Sequence, residues 1–265
     1  VVGVKATANG KSVFIKAKKV VILAAGGYDH NQEMAKDFNP HLLWALETGV
    51  SYAAPTNTGD GIRMGMDIGA DLASMGGFIG LPPTNVGMTP TLIGNPEVPG
   101  IMVNKYGLRF VAEDNHYAYV MRSVFNQESH IAWQIWDAET MKLGGAFVSG
   151  ISGMSDDLKK EIEAGKVITR DTVRALADAI GVNADNLQKT IDTWNADMDS
   201  TGKDSQFNQA HGLRSLKTGP YYAVKAIEYN LGSMGGLKIN TQAQVVNVDG
   251  EVIPHLYAGG MNAGG

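Results

Sequence analysis

The feature that most constrains the fold is an uninterrupted apolar run, Val20–Ala25, which ends at the glycine pair Gly26-Gly27. A continuous run without polar alternation is typical of a strand buried on both faces, as in a parallel sheet. Parallel strands need long crossover connections, usually helices, so the run predicts an α/β protein. The glycine pair marks the carboxyl end of the strand, where open α/β sheets bind their ligands.

Turn and capping residues divide the rest of the chain into elements. Asn9-Gly10 predicts a type I′ hairpin between two β-favouring runs. A short helix is expected from His30 to Phe38, ended by Asn39-Pro40. A second helix is expected over 62–70, with Thr58 or Asp60 as its N-cap. Further helices are predicted over 117–125, 155–164, 171–180 and 184–201, strands near both ends of the chain, and a loop over 78–100.

Composition narrows the class of protein. The 265 residues are 44% hydrophobic and 18% charged, which suits one large or two moderate globular domains. The net charge of −5, without a run of Lys or Arg, argues against a nucleic-acid partner. No apolar run reaches the roughly 20 residues that span a bilayer. There is no cysteine and no histidine spacing typical of a metal site, so we predict no disulfide and no metal.

The order of the elements predicts two domains. Strand-rich ends flank a helical middle, which is expected when an α+β domain is inserted into a discontinuous sheet domain. The predicted boundaries are 1–77, 78–231 and 232–265. The chain opens without Met and stops at Gly265, so it is expected to be part of a longer protein. The lack of cysteine fits a cytosolic or a bacterial cell-envelope protein equally and leaves the compartment open.

Four segments, in order and spacing, carry a family resemblance: Val21–Tyr28, Thr58–Ala70, Ile101–Glu113 and Gly219–Gly265. Together they resemble the flavin subunit family of fumarate reductase, urocanate reductase, L-aspartate oxidase and 3-ketosteroid dehydrogenase. The resemblance covers nearly the whole chain. It implies FAD as cofactor, a discontinuous FAD/NAD(P)-binding domain of the glutathione-reductase-like type, and an inserted α+β capping domain.

The resemblance also implies which residues contact the flavin. A flavin ring is planar and leaves no room for a Cβ against its face, which favours glycine there. The alternative for the glycines is a tight turn without a ligand, and the alternative for the acidic residue is a helix cap. The implied contacts are Ala25, Gly26, Gly27, Asp60, Gly235, Gly236 and Gly260.

Two side chains are candidates for catalysis. The resemblance implies that Arg109 donates a proton to the substrate carbon. The alternative is a structural arginine that pairs with Glu113 or Asp114, because arginine normally stays charged and is a poor acid. The 3-ketosteroid dehydrogenases use tyrosine hydroxyls to polarise a ketone and take a proton. Tyr229, which lies just before the segment that resembles theirs, could do such work, and Tyr117 is the alternative tyrosine. The alternative for any single tyrosine is packing with a satisfied hydroxyl.

Several positions depart from the fumarate reductases and bear on the substrate. Gly232 stands where those enzymes have a substrate-binding histidine, and Met261 where they have a glutamate. Other functional residues of the fumarate reductases are also absent at the corresponding positions, which are Leu81–Thr84, Ile93 and Pro96 in this chain. A buried carboxylate of fumarate would then lack a partner, which is costly. We therefore predict a substrate other than fumarate.

The predicted reaction is hydride transfer between FAD and a C–C bond activated by a carbonyl or a carboxylate. The expected partners are a small unsaturated acid or ketone and a separate electron-donor domain or protein. Two alternatives stay open. One is a 3-ketosteroid dehydrogenase-like enzyme, favoured by the segment Leu231–Leu237. The other is a flavin-binding protein with a non-catalytic cap.

Overall fold

The computed structural model describes residues 1–81, 83–84, 87–88, 100–142, 155 and 157–264, and the chain divides into two compact units. The first unit consists of residues 1–79 and 230–265, and the second of residues 80–229. The boundaries 1–77, 78–231 and 232–265 of an FAD-binding and a capping domain stay predictions. Ile93, Pro96 and the side chains of Leu81–Thr84 lie outside the description.

The strands and helices are numbered along the chain. The strands are β1 (Gly3–Ala8), β2 (Lys11–Lys16), β3 (Val21–Leu23), β4 (Leu72–Leu81), β5 (Pro83–Thr84), β6 (Gly87–Met88), β7 (Ile101–Val103), β8 (Ile131–Asp137), β9 (Val167–Arg170), β10 (Tyr221–Ile227), β11 (Tyr229–Lys238), β12 (Gln244–Val246), β13 (Val252–Ala258) and β14 (Ala263–Gly264). The helices are α1 (Gln32–Phe38), α2 (Pro40–Glu47), α3 (Asp60–Met66), α4 (Tyr117–Phe125), α5 (Ala138–Met141), α6 (Lys159–Glu163), α7 (Val173–Ile180) and α8 (Ala184–Ser200), with short 3-10 segments at Glu128–His130 and Gly260–Asn262.

The first unit contains a hairpin and two three-stranded sheets. In the hairpin of β1 and β2, Asn9 and Gly10 have φ of 50° and 75°, the left-handed pair that a type I′ turn requires. One sheet has the order β12-β13-β3 and the other β14-β11-β4. Each sheet has one parallel pair, β13 with β3 and β11 with β14, and the first of these joins opposite ends of the chain.

Strand β3 departs from its prediction in one respect. It pairs in parallel with β13, as the apolar run indicated, but it is only three residues long and lies at the edge of its sheet. Ile22 is 65% exposed, while Leu23 is buried. The prediction that both faces of the run are buried is therefore wrong for the described chain.

Helices α1 and α2 show how one dipeptide can end one helix and begin another. Asn31 caps α1 by accepting the Met34 N–H. Asn39 then accepts the Leu42 N–H, and Pro40 occupies the first turn of α2, where proline is tolerated because its missing N–H has no partner there. The sequence interpretation treated Asn39-Pro40 only as an end and missed α2.

The second unit is a sheet covered by helices, and its described strand pairs are all antiparallel. Its strands have the order β6-β5-β10-β8-β7, with β9 pairing with β10 as well. The predicted stripe of α8, Leu187, Ile191 and Trp194, is buried against α7 and the sheet. Strands β8 and β9 were not predicted, and β5 and β6 lie within the predicted loop. Within the described ranges, every helix is too short or too polar to cross a membrane.

Candidate functional site

Two neighbouring parallel strands of the first unit bring predicted flavin contacts to one sheet edge. Leu23 of β3 lies opposite Ala258 of β13 in a parallel register. Both strands therefore end on the same side, where the turn Ala24–Gly27 leaves β3 and Gly259-Gly260 leaves β13. This carboxyl edge is where open α/β sheets bind ligands. The structure thus brings Ala25, Gly26, Gly27 and Gly260 together.

Asn262 fixes the geometry of this edge. Its side chain is fully buried, and its Oδ1 accepts the Ala25 N–H at 2.6 Å. Its Nδ2 donates to the Gly26 carbonyl. Asn262 lies after β13, and its amide thus forms hydrogen bonds with two backbone groups of the turn after β3. Sequence reasoning missed Asn262, because its partners lie more than 200 residues away.

A second buried side chain, Asp29, joins three segments of the first unit. Its oxygens accept hydrogen bonds from Asn57 Nδ2 at 2.9 Å, from Asn230 Nδ2 at 3.1 Å and from the Ser233 N–H. All three donors are uncharged. A buried carboxylate is tolerated only when it is hydrogen-bonded, so Asp29 ties the turn after β3, the loop before α3 and strand β11 to one another.

The neighbouring Tyr28 anchors the same turn in the core. It is fully buried, its N–H donates to Ser233 Oγ at 3.1 Å, and its hydroxyl donates to the Met75 carbonyl. Burial, the largest cause, raises the pKa of the Tyr28 phenol above its ordinary value, and nearby Asp29 adds to the shift. Tyr28 therefore stays protonated and acts as a structural donor.

A cleft of 270 Å³ in the first unit contains two of the predicted contacts, Gly235 and Gly260. Among the described residues, those that line it are all uncharged. The cleft suits a neutral, planar ring better than a phosphate, and in this respect the residues fit the isoalloxazine ring of a flavin. The lining residues are Ser74, Ser233, Met234, Gly235, Gly260, Met261 and Ala263.

At three of the predicted glycines, atoms of the protein itself leave no room for a side chain, whereas the sequence suggested that the flavin would. A Cβ on Gly27 would lie 2.2 Å from Ser233 Oγ, so the missing side chain makes room for a serine hydroxyl. A Cβ on Gly235 would lie 2.4 Å from the Ser74 carbonyl oxygen, and the Gly235 φ is 104°. A Cβ on Gly236 would meet the Asn262 carbonyl oxygen at 2.4 Å. At these three positions the protein itself excludes a side chain.

Asp60 lies apart from this cleft. It is the first residue of α3, and the N-cap is Gly59 with φ of 80° and no side-chain cap bond. The expectation that Thr58 or Asp60 caps the helix is therefore wrong. Asp60 is exposed and lines a different cavity of 530 Å³ together with His30 and Arg63.

Arg109, the predicted proton donor, is buried in the second unit by an ion-pair network. Its Nε and Nη2 donate to Glu113 at 3.1 and 2.6 Å, and its Nη1 and Nη2 donate to Asp204 at 2.8 and 3.0 Å. Nη2 also lies 3.2 Å from Gln209 Oε1. The Arg109 side chain is only 1% exposed. The contacts agree with the structural alternative, with Asp204 in addition to Glu113; Asp114 instead accepts two backbone N–H groups.

The surroundings of Arg109 make it a weaker acid than usual. Burial alone would lower the pKa of its guanidinium, but the carboxylates of Glu113 and Asp204 outweigh burial and raise that pKa. The rings of Trp194 and Phe207 also lie 4.7 and 5.1 Å from the guanidinium carbon. A cation held between two anions and two aromatic faces stays charged.

Tyr229, the other catalytic candidate, is the last residue of the second unit and is half-buried. It begins β11, the strand that later carries Ser233 and Gly235. In the described part of the chain, no group of three or more His, Asp or Glu side chains is arranged to hold a metal ion.

Comparisons with known proteins agree on one family. The model of the FAD binding domain family matches residues 1–265. The NADH:acrylate oxidoreductase of Vibrio harveyi is 35% identical over 270 residues, and the urocanate reductase of Eggerthella lenta is 33% identical over 279 residues. Each match covers 100% of this chain, which spans only 26% and 43% of the lengths of the two relatives.

A solved structure is similar over almost the same extent. The 3-ketosteroid Δ1-dehydrogenase of Sterolibacterium denitrificans, in complex with 1,4-androstadiene-3,17-dione, superposes with a TM-score of 0.83 and is 25% identical. The similarity covers 99% of this chain and 51% of that protein.

Replacing Arg109 with alanine is expected to destabilise the second unit by about 3–5 kcal/mol, because Glu113 and Asp204 would remain buried without a cation. Lysine at this position should recover only part of the loss, since it keeps the charge but not the planar fork. Urea unfolding followed by tryptophan fluorescence measures the effect. The matched control is Arg174→Ala, which removes an exposed ion pair with Asp185 and should cost little. Equal stability of the Arg109→Ala and Arg174→Ala proteins would contradict the structural role.

Gly27→Ala is expected to destabilise the first unit by about 1–3 kcal/mol, because the new Cβ would overlap the Ser233 hydroxyl. The control is Gly259→Ala on the same sheet edge. The Gly259 φ is −157°, and its Cβ would meet no atom within 4 Å, so its stability should be unchanged. Thermal unfolding of both proteins compares them, and an equal loss in the two would refute the packing explanation.

Proposed function

We propose, because the chain belongs to the FAD binding domain family, that it is part of an oxidoreductase that transfers hydride between FAD and a C–C bond activated by a carbonyl or a carboxylate. Family membership confirms the prediction of FAD as cofactor. The observation that supports the proposal best is the convergence of the Ala25–Gly27 turn and Gly260 on one carboxyl sheet edge, beside an uncharged cleft. Bound FAD supplies the two-electron chemistry, and the protein supplies position and surroundings.

In this proposal the backbone of the first unit holds the flavin. Ala25, Gly26 and Gly27 form one part of the binding edge, and Gly235, Gly236 and Gly260 form another. Asn262 and Asp29 hold these segments in place through the hydrogen bonds described above. Asp60 is a proposed contact to a different part of the cofactor, since it lines a separate cavity.

The second unit is proposed to be the capping domain. It is an α+β unit inserted in the sequence between the two parts of the first unit. The reaction also needs a source or sink of electrons, for which a separate domain or protein remains the proposal. This is in keeping with the greater length of the relatives.

The proposed substrate is a small unsaturated acid or ketone that carries less charge than fumarate. Acrylate and urocanate, named for the two relatives, are acids with a double bond conjugated to one carboxylate. Within the described cleft, Met261 offers a thioether and lies close to Gly232, where a Cβ would meet Met261 Cε at 3.2 Å. Neither position offers a charge to bind a second carboxylate.

A second candidate is a ketone-specific dehydrogenase related to the steroid enzymes. The superposition with 3-ketosteroid Δ1-dehydrogenase over nearly the whole chain supports it. The two candidates share the flavin chemistry and differ in the group that activates the C–C bond, so a single experiment can separate them.

The experiment uses the FAD-loaded, full-length protein, reduced under anaerobic conditions and mixed with acrylate, urocanate, fumarate or an unsaturated 3-oxosteroid. We expect one of the mono-acids or the ketone to restore the absorbance of oxidised flavin much faster than fumarate does. The identity of the fastest compound selects between the two candidates. A folded protein that lacks flavin bands, or reduced flavin that none of these compounds reoxidises, would refute the proposal.

Arg109 is proposed to stabilise the second unit rather than to donate a proton, which leaves Tyr229 as the proposed proton-transfer group. Tyr229→Phe should lower the rate of flavin reoxidation by about 10²–10⁴-fold and leave the FAD content unchanged, because only the hydroxyl is removed. Tyr119→Phe on α4, at a tyrosine that is 60% exposed, is the control and should react at the normal rate. A Tyr229→Phe protein with the normal rate would exclude this role.

A further inference from the structure

We propose that the Ser233 hydroxyl donates a hydrogen bond to an acceptor atom of the flavin ring in the 270 Å³ cleft. The inference deepens the proposed function and rests on its flavin site. Ser233 lies in the segment Leu231–Leu237 that the sequence analysis singled out, and its role follows from the partners that surround it.

The hydrogen bonds of Ser233 leave one group without a partner. The Tyr28 N–H donates to Ser233 Oγ at 3.1 Å, so this hydroxyl already serves as an acceptor. The Ser233 N–H donates to Asp29. The hydroxyl proton itself is donated to no group in the described part of the chain. A serine hydroxyl has one donor in addition to its acceptor capacity, so one hydrogen bond remains to be made.

The burial of Ser233 indicates from which side an acceptor can reach the hydroxyl proton. Ser233 is only 4% exposed, although it lines the cleft. The side of the hydroxyl toward the turn after β3 is filled, because a Cβ on Gly27 would lie 2.2 Å from Oγ. The cleft is therefore the side on which an acceptor can approach. A donor that is nearly buried is expensive to leave unpaired, so a ligand that offers an acceptor gains affinity.

The position of the hydroxyl is fixed from two sides. Asp29 holds the backbone of Ser233, and Asp29 is itself held by Asn57 and Asn230. Tyr28 holds the oxygen and is anchored in the core through Met75. A donor positioned in this way needs little reordering when the ligand binds.

The chemistry of the lining selects the acceptor. The described lining residues are uncharged, which suits a ring nitrogen or carbonyl oxygen of a conjugated system rather than a phosphate. The flavin ring and a substrate carbonyl offer the same kind of acceptor. We assign the hydrogen bond to the flavin, because Gly235 and Gly260, both predicted flavin contacts, line the same cleft.

The test compares Ser233→Ala with Ser51→Ala in the full-length protein. The Ser51 hydroxyl also belongs to the Asp29 network, where it accepts from Asn230 Nδ2 at 3.2 Å, but it does not line the cleft. The FAD dissociation constant is measured by titrating the apoprotein, and the visible spectrum of the bound flavin is recorded. We expect Ser233→Ala to raise the dissociation constant about threefold to tenfold and to shift the visible band. Ser51→Ala should change neither, and Ser233→Thr, which keeps a hydroxyl, should restore both.

Three results would overturn the assignment. The first is a Ser233→Ala protein whose FAD affinity and spectrum match those of the wild type. The second is an equal change in Ser51→Ala, which would trace the effect to the network and not to the cleft. The third is a change confined to the KM of the substrate, which would assign the donor to the substrate carbonyl. A wild-type protein that binds FAD but reduces none of the tested compounds would refute the proposed reaction and leave this test valid.

Discussion

The first unit depends on one buried anion, Asp29. Its carboxylate has lost its water, and three uncharged donors, Asn57 from the loop before α3 and Asn230 and Ser233 from strand β11, replace the lost hydration. Buried charges are normally stable only when such bonds are complete. The arrangement therefore couples the turn after β3, the loop before α3 and strand β11. The proposed flavin contacts lie on these segments or beside them. Asp29 therefore fixes the geometry of the proposed site without having to touch the cofactor.

The second unit contains a buried charge of the opposite sign. It buries a cation, Arg109, and places two carboxylates and two aromatic faces around it. Removing one member of such a set costs more than the set contributes as a whole, because the remaining charges stay buried. Loss of activity in an Arg109 variant would therefore not by itself identify a catalytic acid. The free energy of unfolding of the variant has to be measured together with its activity.

Local patterns predicted the parts of the structure that local sequence determines. Helix α4 runs over the predicted residues 117–125, and the Asn9-Gly10 turn has the left-handed angles expected for it. The prediction failed where partners are distant. The exposure of Ile22 depends on which strands flank β3. The partners of Asn262 and two of the three partners of Asp29 lie more than 200 positions away. Gly26 and Gly27 lie in the turn after β3, as predicted, but Gly235 and Gly236 lie within β11. The sequence did not indicate that Ser233 and Asn262 occupy the space beside Gly27 and Gly236.

The discontinuity of the first unit has a consequence for its synthesis. Ser233 follows Asp29 by 204 residues. At translation rates of about 5–20 residues per second, the ribosome needs roughly 10–40 s to deliver the second half of this contact. During that interval the Asp29 carboxylate has to remain hydrated and the sheet edge unformed, while the whole second unit emerges and can fold. The inserted unit can therefore fold before the hydrogen bond between Asp29 and Ser233 is possible.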